Sequence, residues 1–84
     1  MVLKILYFAS LRETLGQGSE QLELPPGVTD VASLRCFLAA RGDQWQALAT
    51  VRNLRCAVNQ DIAALDAVVA DGDEVAFFPP VTGG

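Results

Sequence analysis

The chain has no histidine, one tyrosine, one tryptophan, one methionine and two cysteines among 84 residues. The side chains that most often carry acid–base or metal chemistry are nearly absent. An enzyme built within this chain alone is therefore not expected. The two thiols, Cys36 and Cys56, form no CxxC pair and have no histidine to complete a zinc set, so no metal site is expected, and each reads as a small buried hydrophobe. No apolar run approaches the ~18 residues of a membrane span. The start, MVLKILYFAS, lacks the charged region, long apolar stretch and small-residue cleavage site of an export signal. A cytoplasmic chain with free thiols is the expectation, without a membrane partner. Bases are also scarce: Lys4, Arg12, Arg35, Arg41, Arg52 and Arg55 are scattered, and the formal charge is -4. That disfavours nucleic acid, which needs a basic face. Residues 1–42 carry four bases and four acids, whereas residues 43–84 carry two and six. The excess acid in the second half predicts a basic partner surface.

What is present is a core. Half the residues are hydrophobic (51%) and only 19% are charged, far from the composition of a disordered chain. The length suits one small domain with a stability of roughly 4 to 13 kcal/mol.

Residues 2–8 are apolar apart from Lys4, as in a strand central to a sheet. Ser10 and Glu13 make an S-x-x-E cap pattern and Gly16 a stop, predicting a short helix over 10–16. Residues 19–24 alternate polar and apolar and predict a second strand, hairpinned to the first and ended by Pro25-Pro26-Gly27. Thr29 is the expected N-cap of the main amphipathic helix, whose apolar positions are Val31, Leu34, Phe37 and Leu38 and which Arg41 and Gly42 close. Asp43 with Gln46 predicts a second cap and a short helix over 45–48. Residues 54–58 form a third strand, a short fourth lies near Ile62, and 66–70 is left unclassified. Asp71-Gly72-Asp73 turns the chain into a last strand over 74–78. Two strands, one long helix and three short strands exclude alternating βα units and predict an α+β fold with one main helix across one face of a mixed sheet. The closest architecture is the β-grasp, or ubiquitin-like, fold, with the domain in residues 1–78 and an extended tail in 79–84.

One helix covers only one face of such a sheet. The two-residue period sends Leu3, Ile5, Tyr7, Val75 and Phe77 inward, and turns Lys4, Leu6, Phe8, Arg55, Ala57, Glu74, Ala76 and Phe78 toward the other face. If the first and last strands are neighbours, Phe8, Phe78 and Ile62 form an exposed apolar patch near the root of the tail, the mark of a partner interface. The alternative is that a loop or the 43–53 segment covers it.

Pro79-Pro80 cannot continue ladder hydrogen bonding and holds the chain extended. Six residues reach at most about 20 Å, enough to enter another protein's active site. Gly83 and Gly84 lack Cβ atoms and suit a channel too narrow for side chains. The reactive group left is the carboxylate of Gly84, a poor electrophile that needs activation, typically as an acyl-adenylate made with ATP by a partner.

The stretch Asp71-Gly72-Asp73-Glu74-Val75-Ala76-Phe77-Phe78-Pro79-Pro80-Val81-Thr82-Gly83-Gly84 resembles the C-terminal signature of the small, sulfur-carrier subunit of molybdopterin synthase. Leu6-Tyr7-Phe8-Ala9-Ser10-Leu11-Arg12-Glu13 resembles that family's first strand and helix start, and Ala57-Val58-Asn59-Gln60 its third-strand end. The resemblance covers nearly the whole chain and is weakest over 16–29 and 43–53. It implies that a ubiquitin-activating-like adenylyltransferase adenylates Gly84 with ATP, that a persulfide sulfur donor converts it to a thiocarboxylate (1-thioglycine), and that the tail then enters the large synthase subunit. There the sulfur attacks a pterin precursor, and two such transfers build the molybdopterin dithiolene, usually in a heterotetramer of two small and two large subunits. A thiocarboxylate suits the step, because it is ionised at neutral pH with its charge on a soft sulfur. In that picture Gly84 carries sulfur and Gly83 gives clearance. Val81 and Thr82 line the channel behind Pro79 and Pro80, while Phe8 and Phe78 anchor the docking patch with Ile62. No permanently bound cofactor is implied. The competing readings are a ubiquitin-like modifier joined to lysines, a carrier for another sulfur pathway (thiamine or tRNA thiolation), and an interaction domain with an inert tail.

Overall fold

A computed structural model describes residues 1–51 and 53–79. Alternation in the first segment becomes strand β1 (Val2–Tyr7), in which Leu3, Ile5 and Tyr7 are buried while Val2 and Lys4 are exposed. Helix α1 (Ala9–Leu15) follows and buries Leu11 and Leu15. Its end is the expected Gly16, at φ 77°, where glycine carries no Cβ penalty. Its start is not the expected Ser10 cap. Phe8 stands at the N-cap in extended conformation with no side-chain hydrogen bond. The chain turns through Ala9 at φ 55°, a left-handed conformation that costs a non-glycine residue about 1 to 2 kcal/mol.

Strand β2 (Ser19–Glu23) returns antiparallel to β1. Helix α2 (Val31–Ala39) buries Val31, Leu34 and Leu38 across the sheet. Its N-cap is Asp30, one residue beyond the expected Thr29. The Asp30 carboxylate accepts from the Ser33 N–H at 2.8 Å, and the Ser33 hydroxyl accepts from the Asp30 N–H at 3.1 Å. The unclassified segment around 66–70 proves to be a strap over this helix start. The Val31 N–H donates to the Ala67 carbonyl at 3.0 Å and Ala32 to Leu65 at 2.7 Å, so two otherwise orphaned first-turn donors are satisfied.

A 3₁₀ turn (Asp43–Gln46) without a side-chain cap and a single helical turn α3 (Ala47–Thr50) replace the expected capped helix over 45–48. Leu48 is fully buried with Leu34 and Leu38, and the Trp45 ring meets Tyr7 edge-on at 5.6 Å. This segment therefore thickens the helix layer and leaves the other sheet face open. The Arg35 guanidinium fixes it by donating to the carbonyls of Leu48 and Val51.

Strands β3 (Arg55–Val58), β4 (Asp61–Ala63) and β5 (Glu74–Phe78) complete one five-stranded sheet in the order β2-β1-β5-β3-β4. Only β1 and β5 run parallel. That mixed order, with one main helix across one face, is the β-grasp arrangement. The Asn59 side chain sews together the end of the sheet at which β5 begins: its Oδ1 accepts from the Glu74 N–H at 3.0 Å and its Nδ2 donates to Asp73 at 3.1 Å.

Cys56 is buried as expected. Burial pushes its thiol up, and it donates to the Ala63 carbonyl at 3.1 Å. Cys36 is exposed, contrary to its reading as a buried hydrophobe. Both thiols are free. Among the described residues no helix is long and apolar enough to cross a membrane.

The helix side holds a polar cluster that the sequence pattern does not signal. The Tyr7 hydroxyl donates to Glu20 at 2.9 Å, Gln17 donates to the same carboxylate, and Arg41 grips it with two hydrogen bonds of 2.9 and 3.0 Å. Arg41 also lies 4.4 Å over the Trp45 ring. Burial alone would push the Glu20 carboxyl up, but the hydrogen bonds from Arg41, Tyr7 and Gln17 hold it below its ordinary value. A carboxylate lowered in this way stabilises the fold above its unfolded pKa of about 4.5, and that contribution is lost as the pH falls through its folded value. Replacing Glu20 with Ala leaves the Tyr7 hydroxyl and Arg41 without that partner and costs about 1 to 3 kcal/mol at neutral pH. Urea melts at several pH values check this: the variant's deficit shrinks below pH ~4, whereas Asp30 and Asp73, also held low by hydrogen bonds, keep some acid slope in both proteins.

Candidate functional site

The site is built on the face that no helix covers, and strand register fixes its rows. Leu6 lies opposite Ala76, Ala76 opposite Ala57, and Ala57 opposite Ile62, so one apolar row crosses β1, β5, β3 and β4. The next row toward the tail holds Phe78 opposite Arg55. Continuing the β1–β5 register past Tyr7 and Phe77 sets Phe8 beside Phe78, and the Phe8 N–H donates to the Phe77 carbonyl at 3.2 Å. The expected adjacency of first and last strands is thus observed.

Exposure along these rows is uneven. Ile62 is 71% exposed and Phe8 46%, while Phe78 is half-buried, less open than its expected role in an exposed aromatic pair. Ala57 and Ala76 face outward by register yet are only 7% and 8% exposed. Their methyl groups are short, and larger neighbours shade them. The result is a recessed alanine floor, with Phe8 and Ile62 as the exposed large apolar side chains of this face. Beside it, Asn53, Leu54, Arg55, Ile62, Ala63 and Leu65 help to line a shallow cleft of about 330 Å³.

Pro79 is half-buried at the end of β5, beside this face. Pro80, Val81, Thr82, Gly83 and Gly84, which carry the expected stem, channel contacts and reactive carboxylate, lie outside the described residues. The described part therefore fixes where the tail departs: from the end of a central strand, between the β1–α1 junction and the start of β3. Arg12, on α1 near this end, lies over Gly18, where a Cβ would come 3.0 Å from the Arg12 Nε. Among the described residues no group of His, Cys, Asp and Glu side chains could hold a metal ion.

Residues 5–84 match the model of the ThiS family. The molybdopterin synthase sulfur carrier subunit of Escherichia coli is 42% identical over 83 residues, covering 99% of this chain and all of that protein. Among solved structures, a putative molybdopterin converting factor subunit 1 from Pyrococcus furiosus superposes with a TM-score of 0.79 at 28% identity, over 96% of this chain and 99% of that one. SAMP1 of Haloferax volcanii gives 0.78 at 28% identity over the whole of both chains.

Proposed function

The chain belongs to the ThiS family, and on that premise we propose that it works as the sulfur-carrier subunit of a molybdopterin synthase, with the Gly84 carboxylate as the group that carries sulfur. The observation that carries this reading is a match running to the last residue, together with a relative of that name aligned over 99% of this chain and its own full length at 42% identity. The open apolar face supports it, because a chain without catalytic side chains of its own needs a surface on which partners can hold it.

The chemistry runs on the tail. An adenylyltransferase joins the carboxylate to ATP and releases pyrophosphate. A persulfide sulfur then attacks the acyl carbon, AMP departs, and opening of the sulfur–sulfur bond by a thiol leaves the thiocarboxylate. Glycine suits attack at that carbon, since its unbranched α-carbon leaves the approach open. The large synthase subunit receives the tail and presents the sulfur to the pterin precursor, with Phe8, Ile62 and Phe78 as the docking residues. Pro79 and Pro80 would form the stem and Val81 and Thr82 the channel-lining part. The free thiols and the dependence on ATP suit the cytoplasm.

Mass spectrometry of the chain co-expressed with its activating enzymes tests the reading. The expected product gains the mass of one oxygen-to-sulfur exchange at Gly84. Conjugates to lysine side chains would instead make the chain a protein modifier, the reading that its likeness to SAMP1 keeps in view. Absence of both products after ATP-dependent activation would exclude carrier and modifier together.

A further inference from the structure

Several acidic side chains of this molecule cluster at one end of the sheet. Register and hydrogen bonds gather Glu23 (opposite Val2), Glu74 (opposite Lys4), Asp61 (opposite Val58), Asp71 (accepting from the Val2 N–H) and Asp73 (accepting from Asn59) where β1 and β5 begin. The tail leaves from the other end, about 13 Å along β5. Four of the six acids of the second half, Asp61, Asp71, Asp73 and Glu74, therefore lie away from the tail root, and a basic partner surface there does not follow from them. What stands at the tail root is a cation. Arg55 is exposed on the open face opposite Phe78 and lines the cleft beside Ile62. The only ion pair among the described residues joins Arg41 to Glu20, so Arg55 is not committed to an internal carboxylate there.

We infer that Arg55 is a specificity-determining residue that pairs with a carboxylate on the protein surface receiving the tail. This rests on the carrier reading. Three features fit it. Arg55 adjoins Phe78, so docking that buries the ring also strips water from the guanidinium and strengthens an ion pair with it. Its planar fork favours a carboxylate held in fixed geometry. Arg55 is the cation that register sets beside Phe78, and no ion pair among the described residues engages it.

The test is binding of the wild type and of Arg55→Lys, Arg55→Gln and Arg55→Glu to the large synthase subunit of the same organism, at about 0.05 and about 0.5 M NaCl. All four chains should melt alike, because Arg55 is exposed. Expected at low salt are a loss of about twofold to threefold for Lys, which keeps the charge but not the fork, about fivefold for Gln and about tenfold or more for Glu, with the charge-dependent differences shrinking at high salt. Equal affinities across the four, losses that do not depend on salt, or tighter binding by Arg55→Glu would overturn the inference while leaving the carrier reading intact. A wild-type chain that fails to bind the large subunit at either salt would overturn both.

Discussion

Adding one residue after Gly84, or deleting Gly84, is expected to abolish sulfur transfer while leaving thermal stability unchanged. An added residue moves the terminal carboxylate by about 3.3 Å and puts a side chain where glycine had none. Deletion withdraws the carboxylate by the same distance and makes Gly83 the acceptor. A misplacement of ~1 Å can cost about a hundredfold in rate, so either change should lower transfer by at least that factor. Thermal melts and ATP-dependent thiocarboxylate formation, measured on the same preparations, separate the two effects. Among the described residues the packed core runs from Leu3 to Phe77. An extended chain that still transfers sulfur at the wild-type rate would refute a mechanism confined to the last carboxylate.

Much of the fold could be read from period and punctuation. In β1 and β5 one charged residue, Lys4 or Glu74, marks the open face of an otherwise apolar run, and Gly16 marks a helix end because it takes the left-handed conformation there. The errors have local causes. Thr29 and Asp30 are both capping residues, and the choice fell to Asp30 because Ser33, three residues on, returns its hydrogen bond. Residue type alone assigns Cys36 to the core. At about 100° per residue it points roughly 140° away from Val31 and 160° from Leu34, so helix geometry would have placed it outside. The Tyr7, Glu20, Arg41 and Trp45 cluster had no signal to read, because its members lie 13 or more residues apart along three of its bonds and meet only once β2 and the end of α2 are in place. At the site, the sequence located the adjacency of Phe8 and Phe78. The alanine floor and the position of Arg55 beside Phe78 needed the register, since they join strands about twenty residues apart.

Phe77 and Phe78 turn that register into a paired experiment, because neighbours on a strand face opposite ways. The Phe77 side chain is fully buried and stacks on Tyr7 with ring centroids 6.5 Å apart. Truncation to Ala opens a cavity under the main helix and is expected to cost about 3 to 5 kcal/mol. A domain whose whole stability is roughly 4 to 13 kcal/mol cannot absorb much of that loss, so Phe77→Ala should be largely unfolded or close to it at 37 °C. Phe78 sits one residue on and half-buried at the open face. Its truncation removes no core contact of that kind and should leave the melt near that of the wild type. The expected loss is in binding, about 2 to 4 kcal/mol or roughly 30- to 1,000-fold in affinity for the large subunit, as for an aromatic anchor at the centre of an interface. Chemical denaturation and calorimetric titration on both variants give the two-by-two comparison. A Phe78→Ala chain that folds and binds like the wild type would move the docking surface away from the alanine floor, while one that unfolds would mean that Phe78 belongs to the core.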